Sequence, residues 1–296
     1  MVYQRDFVGY GANWPEFKWK DSRKMAVSIV INYEEGSEHS FSSDGIVEQI
    51  GEFPHIDVES RDIGNESAYE YGTRVGIWRI LNLLREENVK ATFFATARTL
   101  ELNPIAAKQI SRDGHEICDH GYSWRELYGL SKEEERKEIS KSIGTIERLT
   151  GKKPAGFYAR EPSENTIDLV SEFSNFIYDS DCYDDDIPHR YKGSGVLMLP
   201  YVPDANDFHF MNPINRFASS GQFEGYLKDA FDVLYTESKK TPRMMSAAFH
   251  VRITGRPGRF MALKNFIRYA KTHDDVWIAT REEIASYWIR EVEPNL

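Results

Sequence analysis

Eight short apolar runs, most of them followed by polar residues, set the tightest limit on what this chain can fold into. They are Met25 to Asn32, Ala91 to Ala95, Glu116 to Asp119, Gly156 to Tyr158, Phe176 to Asp179, Val196 to Leu199, Met244 to His250 and Val276 to Ala279. Runs of this length read as strands. Between most of them lie segments of helical period. Trp78, Leu81 and Leu84 share one face of a helix expected from about Thr73, and Phe223, Leu227, Ala230, Phe231 and Leu234 mark another. Asn103 followed by Pro104 predicts an N-cap with proline at the first helical position, and Ser131 with Glu134 and Thr280 with Glu283 predict capping boxes. Alternating strands and helices imply parallel strands in a barrel or a doubly wound sheet, whose ligands gather at the carboxyl ends of the strands.

The unusual polar residues sit where that geometry needs them. Asn32-Tyr33-Glu34-Glu35 follows the first strand, Asp119-His120 the third, Arg160-Glu161 the fourth, Asp179 to Asp186 the fifth and His250-Val251-Arg252 the seventh. No linker, repeat or charge block divides the 296 residues, so one domain is expected over 1–296, with an N-terminal extension of about 1–22. Its 37 Lys+Arg against 47 Asp+Glu give a formal charge of -10, which disfavours nucleic acid and anionic membrane as partners. Cys118 and Cys182 cannot make a disulfide framework, and no apolar run approaches the roughly 20 residues that span a bilayer. Met1 to Tyr10 carries Arg5 and Asp6 in place of an apolar signal core, so the expected location is cytoplasmic.

The phrases Asn32-Tyr33-Glu34-Glu35-Gly36, Asp119-His120-Gly121-Tyr122 and Tyr178-Asp179-Ser180-Asp181, with the segment around His250, together resemble the polysaccharide deacetylase superfamily. Tyr3-Gln4-Arg5-Asp6, Glu70-Tyr71-Gly72-Thr73-Arg74, Tyr183-Asp184-Asp185-Asp186 and Gly255-Arg256-Pro257 extend the likeness over nearly the whole chain, toward the allantoinase branch of purine catabolism. The resemblance implies an α/β fold, a distorted (β/α)7 barrel in one domain. It also implies hydrolysis of a non-peptide C–N bond in a small cyclic amide, and a homotetramer or dimer.

Departures from the metal-dependent members bear on the chemistry. Their first motif ends in two aspartates, a base and a metal ligand, where this chain has Glu34 and Glu35. Their second motif offers two histidines, where this chain has His120 and then Trp124. Indole has only an N–H donor, so a ligand is lost and no cofactor is expected. The weaker alternative is a zinc ion on Glu35, His120 and His250. As catalytic residues the resemblance gives Glu35 to activate water, His120 and Arg160 to stabilise the oxyanion, and His250 to protonate the leaving nitrogen. Adjacent carboxylates raise each other's pKa, which favours Glu35 as the base, and Asp119 is placed to orient His120.

A flat ring is expected to stack near Tyr33, Tyr122 or Trp124, with Glu34 and Asp184 helping to hold the site. Arg252 and Arg256 are candidates for binding carbonyl oxygen or product carboxylate, against the reading of Arg252, Arg256 and Arg259 as a basic loop. The Asp179 to Asp186 cluster lacks the glycine and closing glutamate of a calcium loop. His39, His55, His189, His209 and His273 are expected on the surface or in loops. The rival functions are a cyclic-imide hydrolase, a metal-dependent polysaccharide or peptidoglycan N-deacetylase, and a ligand-binding member without turnover.

Overall fold

Strand β1 (Met25–Tyr33) is buried at every position, and its side chains alternate between two layers. Met25, Val27, Ile29, Ile31 and Tyr33 join the apolar layer between sheet and helices. Ala26 and Val30 face the barrel interior with Ser28 and Asn32. The computed structural model describes residues 5–51, 60–191, 195–212, 214 and 216–296.

Every expected strand is present: β2 (Thr92–Ala95), β3 (Glu116–Asp119), β4 (Gly156–Phe157), β5 (Tyr178–Asp179), β6 (Leu197–Met198), β7 (Arg243–His250) and β8 (Val276–Ile278). The named strands pair in parallel in the order β6-β5-β4-β3-β2-β1-β7. β8 does not lengthen that path. It pairs with Met25 to Val27 of β1, below the stretch Val30 to Tyr33 that pairs with β2. The result is a distorted barrel, a curled parallel sheet with surrounding helices in one domain.

β6 and β7 share no ladder among the described residues, so the barrel is open between them. Returning chain fills the gap: Met244 N–H donates to the Asp186 carbonyl and Ala248 N–H to the Ala205 carbonyl, each at 2.9 Å. The N-terminal segment packs beside it, with the Trp19 indole N–H on the Arg243 carbonyl at 2.9 Å. The lower interior is filled by Arg281, fully buried, which donates to the hydroxyls of Ser246 at 2.7 Å and Ser180 at 2.9 Å and to the Pro200 carbonyl at 2.9 Å.

Both capping boxes form, and Asn103 accepts from Ala106 N–H ahead of Pro104. The helix expected from Thr73 begins earlier, at Ile63. Ile63–Tyr71 runs through one π turn, Gly72–Gly76, into Ile77–Glu86. Two glycines hid that continuity, since glycine lowers helix propensity. They are there for space: a Cβ at Gly72 would stand 2.6 Å from Glu35 Oε1, and one at Gly76 would stand 2.3 Å from the Val251 carbonyl oxygen. Among the described residues no helix is long and apolar enough to cross a membrane.

Candidate active site

The carboxyl ends of β1, β3 and β7 bring Glu34, His120, His250 and Arg252 into one buried cluster, none more than 5% exposed. Glu34 is its centre. Its Oε1 lies 3.0 Å from His120 Nε2 and 3.7 Å from His250 Nε2, while its Oε2 accepts from Arg252 Nη1 at 2.5 Å. Burial alone would push this carboxyl up. Arg252 and the two histidines outweigh it and hold Glu34 well below the usual carboxylate range.

His250 is held from behind by Asp207, which is fully buried. Asp207 accepts from the His250 backbone N–H, from Thr254 N–H at 3.1 Å and from the Thr254 hydroxyl at 2.6 Å. It also meets His250 Nδ1 at 2.7 Å. An ionised carboxylate only accepts, so Nδ1 carries a proton and Nε2 turns toward Glu34. His120 differs: Nδ1 lies 2.8 Å from the Tyr158 carbonyl and Nε2 faces Glu34, so acceptors stand on both sides of the ring. The Arg252 guanidinium is roofed by aromatic rings, Trp124 at 4.8 Å and Tyr69 at 5.3 Å from their centroids.

Several expected residues stand elsewhere. Glu35 does not face the histidines; its oxygens accept from the backbone N–H groups of Arg252 at 2.9 Å and Glu34 at 3.1 Å, in the space left by Gly72. Period-two alternation is the cause, because Asn32 and Glu34 point inward and Tyr33 and Glu35 outward. Tyr33 therefore packs in the outer layer with its hydroxyl 2.6 Å from Thr73 Oγ1. Tyr122 donates to Glu101 at 2.9 Å beneath Lys141, while lining one cavity with His120. Arg160 pairs with Glu48 at 2.8 Å and Glu126 at 3.3 Å and lies over Trp124, so its contact with the cluster is indirect. Asp184 accepts from Tyr191 at 2.8 Å beside the N-terminal segment, and Arg256 covers Tyr71 at 3.8 Å.

Asp119 does not orient His120: it accepts from Gly121 N–H at 2.9 Å and the Ser142 hydroxyl at 2.5 Å. His39 lies in the loop after β1, as expected, and bonds Glu126 at 2.9 Å, and His55, Tyr3 and Gln4 lie outside the described residues. The sequence reading missed Asp207 and Tyr69. Asp207 follows no strand, and its only local signal is Asn206 acting as an N-cap.

The metal-site chemistry of the second motif does not fit these residues. Among the described residues no group of three His, Cys, Asp or Glu is placed to hold a metal ion. The carboxylate nearest both histidines already carries the Arg252 cation, and Glu35, the expected ligand, is turned onto backbone N–H groups.

Comparison with known proteins agrees with the fold. The polysaccharide deacetylase profile matches residues 67–168. A Schizosaccharomyces pombe protein whose name places it among the polysaccharide deacetylases is 35% identical, over 97% of this chain and 98% of its own. The chain belongs to the polysaccharide deacetylase family. Within this hydrolytic family, a Pseudomonas aeruginosa PAO1 structure bearing the same name is 41% identical, with a TM-score of 0.92, over 98% of this chain and 99% of its own. The structure of PuuE allantoinase is 37% identical, with a TM-score of 0.91, over 99% of both chains.

The two carboxylates of the first motif have opposite electrostatics, and one prediction follows. Burial, opposed by Arg252 and reinforced by Glu34, pushes the Glu35 carboxyl up to about 8. Such a group binds its proton more tightly in the fold than in the unfolded chain. Its contribution to stability is full below the unfolded value of about 4.5 and is lost as pH rises toward 8. Burial also raises Asp119 to about 7 and raises the neighbouring pair Asp179 and Asp181, so they act in the same direction. Urea unfolding from pH 5 to 8 should show stability falling with pH, and Glu35→Gln should flatten the slope without abolishing it. An unchanged slope in that variant contradicts the assignment.

Proposed function

We propose that this family member is a hydrolase that opens a small cyclic amide, with a cyclic ureide of the allantoin type as the leading substrate and a cyclic imide as the second. The observation that carries the reading is the Arg252 guanidinium on Glu34 between two imidazoles, a fixed positive charge where a Lewis acid would otherwise act. The likeness to PuuE allantoinase over 99% of both chains supports the same substrate class.

Preorganised donors recover only part of the several kcal/mol that a metal supplies. A ring ureide or imide tolerates that loss better than an acetamide, because a second carbonyl stabilises its leaving nitrogen. His250 Nε2 takes a proton from water, and the hydroxide attacks the ring carbonyl carbon. Arg252, whose guanidinium has N–H groups beyond the one held by Glu34, donates to the oxyanion. As the carbonyl reforms, the C–N bond breaks and His250 returns the proton to nitrogen, leaving an open-chain carboxylic acid that loses its remaining proton to solvent. Glu34, held so firmly as an anion, is too weak a base for the first step and serves as the counter-charge that fixes Arg252 and His120. Glu35 has both oxygens on backbone N–H groups and is given a structural role. Trp124 and Tyr69 provide the flat walls.

The test is a panel of cyclic ureides, cyclic imides and N-acetylated sugars assayed with one preparation. Ring opening of a ureide or imide, with no acetate from the sugars, is expected. Acetate release without ring opening removes the reading.

A further inference from the structure

We propose that the amino-terminal end of the barrel holds a second site, a pocket for a small oxyanion built around Lys90, His115 and Lys153. A cavity of about 420 Å³ opens there. Lys90 and His115 precede β2 and β3, whereas His120 follows β3, so this pocket lies at the opposite end of the strands from the catalytic cluster.

His115 supplies the first argument. It is 8% exposed, and its Nδ1 accepts from Ala91 N–H at 3.2 Å, which places the ring proton on Nε2. That Nε2 is buried and has no hydrogen-bond partner among the described residues, an N–H donor in want of an acceptor. Burial, aided by Lys90, lowers this imidazole to about 4, so it remains a neutral donor.

The charge balance supplies the second. Lys90 donates to the Asp113 carbonyl, and Lys153 is 4.0 Å from an exposed Glu147 oxygen, so both ammonium groups keep donors to spare. The carboxylates of the same cavity are engaged. Glu116 accepts from Thr92, Tyr178 and Glu282 N–H; Glu282 takes Lys152 at 2.6 Å; Glu283 caps Thr280. Ammonium groups beside a buried N–H match an oxyanion, phosphate or carboxylate.

The experiment titrates inorganic phosphate and, separately, malonate at constant ionic strength, following the His115 imidazole by nitrogen-15 NMR and binding by calorimetry. His115→Gln identifies the resonance. Saturable one-site binding of either anion with movement of the His115 Nε2 signal is expected. Lys90→Ala and Lys153→Ala should each weaken it by about tenfold, about 1.4 kcal/mol, with catalytic rate unchanged. Because His115 packs on Phe93, the lysine variants carry the test where His115→Gln fails to fold. No saturable binding of either anion, or equal affinity in both lysine variants, overturns the proposal.

Discussion

Replacing His250 with Asn lowers kcat for ring opening by about 10²–10⁴, with KM little changed. The amide keeps a polar group at the rim but cannot carry a proton from water to the departing nitrogen. Asp207→Asn should follow it for a different reason. Asp207 touches His250 and Thr254 rather than the reacting point, so it is a positioning residue. An amide there presents an N–H donor where His250 Nδ1–H or the Thr254 groups now donate, which favours the wrong tautomer. Steady-state kinetics and thermal unfolding of the single and double variants test the pair. The expected result is a loss in kcat rather than KM, with the double variant losing less than the product of the single losses. Loss through KM alone, or multiplicative losses, would separate Asp207 from proton transfer.

Arg252→Met carries the other large effect. The guanidinium and the Glu34 carboxylate are each about 2% exposed, and removing one member of such a pair strands the other charge in the interior. That costs about 3–5 kcal/mol of stability. Loss of an oxyanion donor separately lowers kcat by about 10²–10³. The two effects come apart in the double variant Glu34→Gln with Arg252→Met, which removes both charges. Denaturant unfolding should show stability largely recovered, while activity stays at the level of the Arg252 variant or below. If Arg252→Met leaves both stability and rate intact, the guanidinium is a bystander and the mechanism fails.

The strands and their order along the chain were legible because short apolar runs ended in polar residues, as the barrel rim demands. His120, His250 and Arg252 were legible for the same reason. The choice between Glu34 and Glu35 turned on parity. Asn32 faces inward to the Tyr201 hydroxyl and Tyr33 outward to Thr73, and two-residue alternation then sends Glu34 inward. That signal was in the sequence, but fixing it needed a residue whose direction was known. Asp207 gave no such signal. It reaches His250 because chain leaving β6 folds back across the gap beside β7, a contact 43 residues apart in sequence that no local period encodes. Arg160 was placed at the rim correctly, yet Glu48, from the segment after β1, draws its guanidinium over Trp124.

The claim that a fixed guanidinium and two imidazoles serve this site without a metal ion is tested most directly by one comparison. It is the kcat/KM for opening of the best cyclic ureide or imide, measured before exhaustive chelation, after it, and after addition of one equivalent of zinc. The account predicts three values that agree within about twofold, because the cation beside Glu34 is part of the chain. Activity that vanishes on chelation and returns in proportion to added zinc would contradict it.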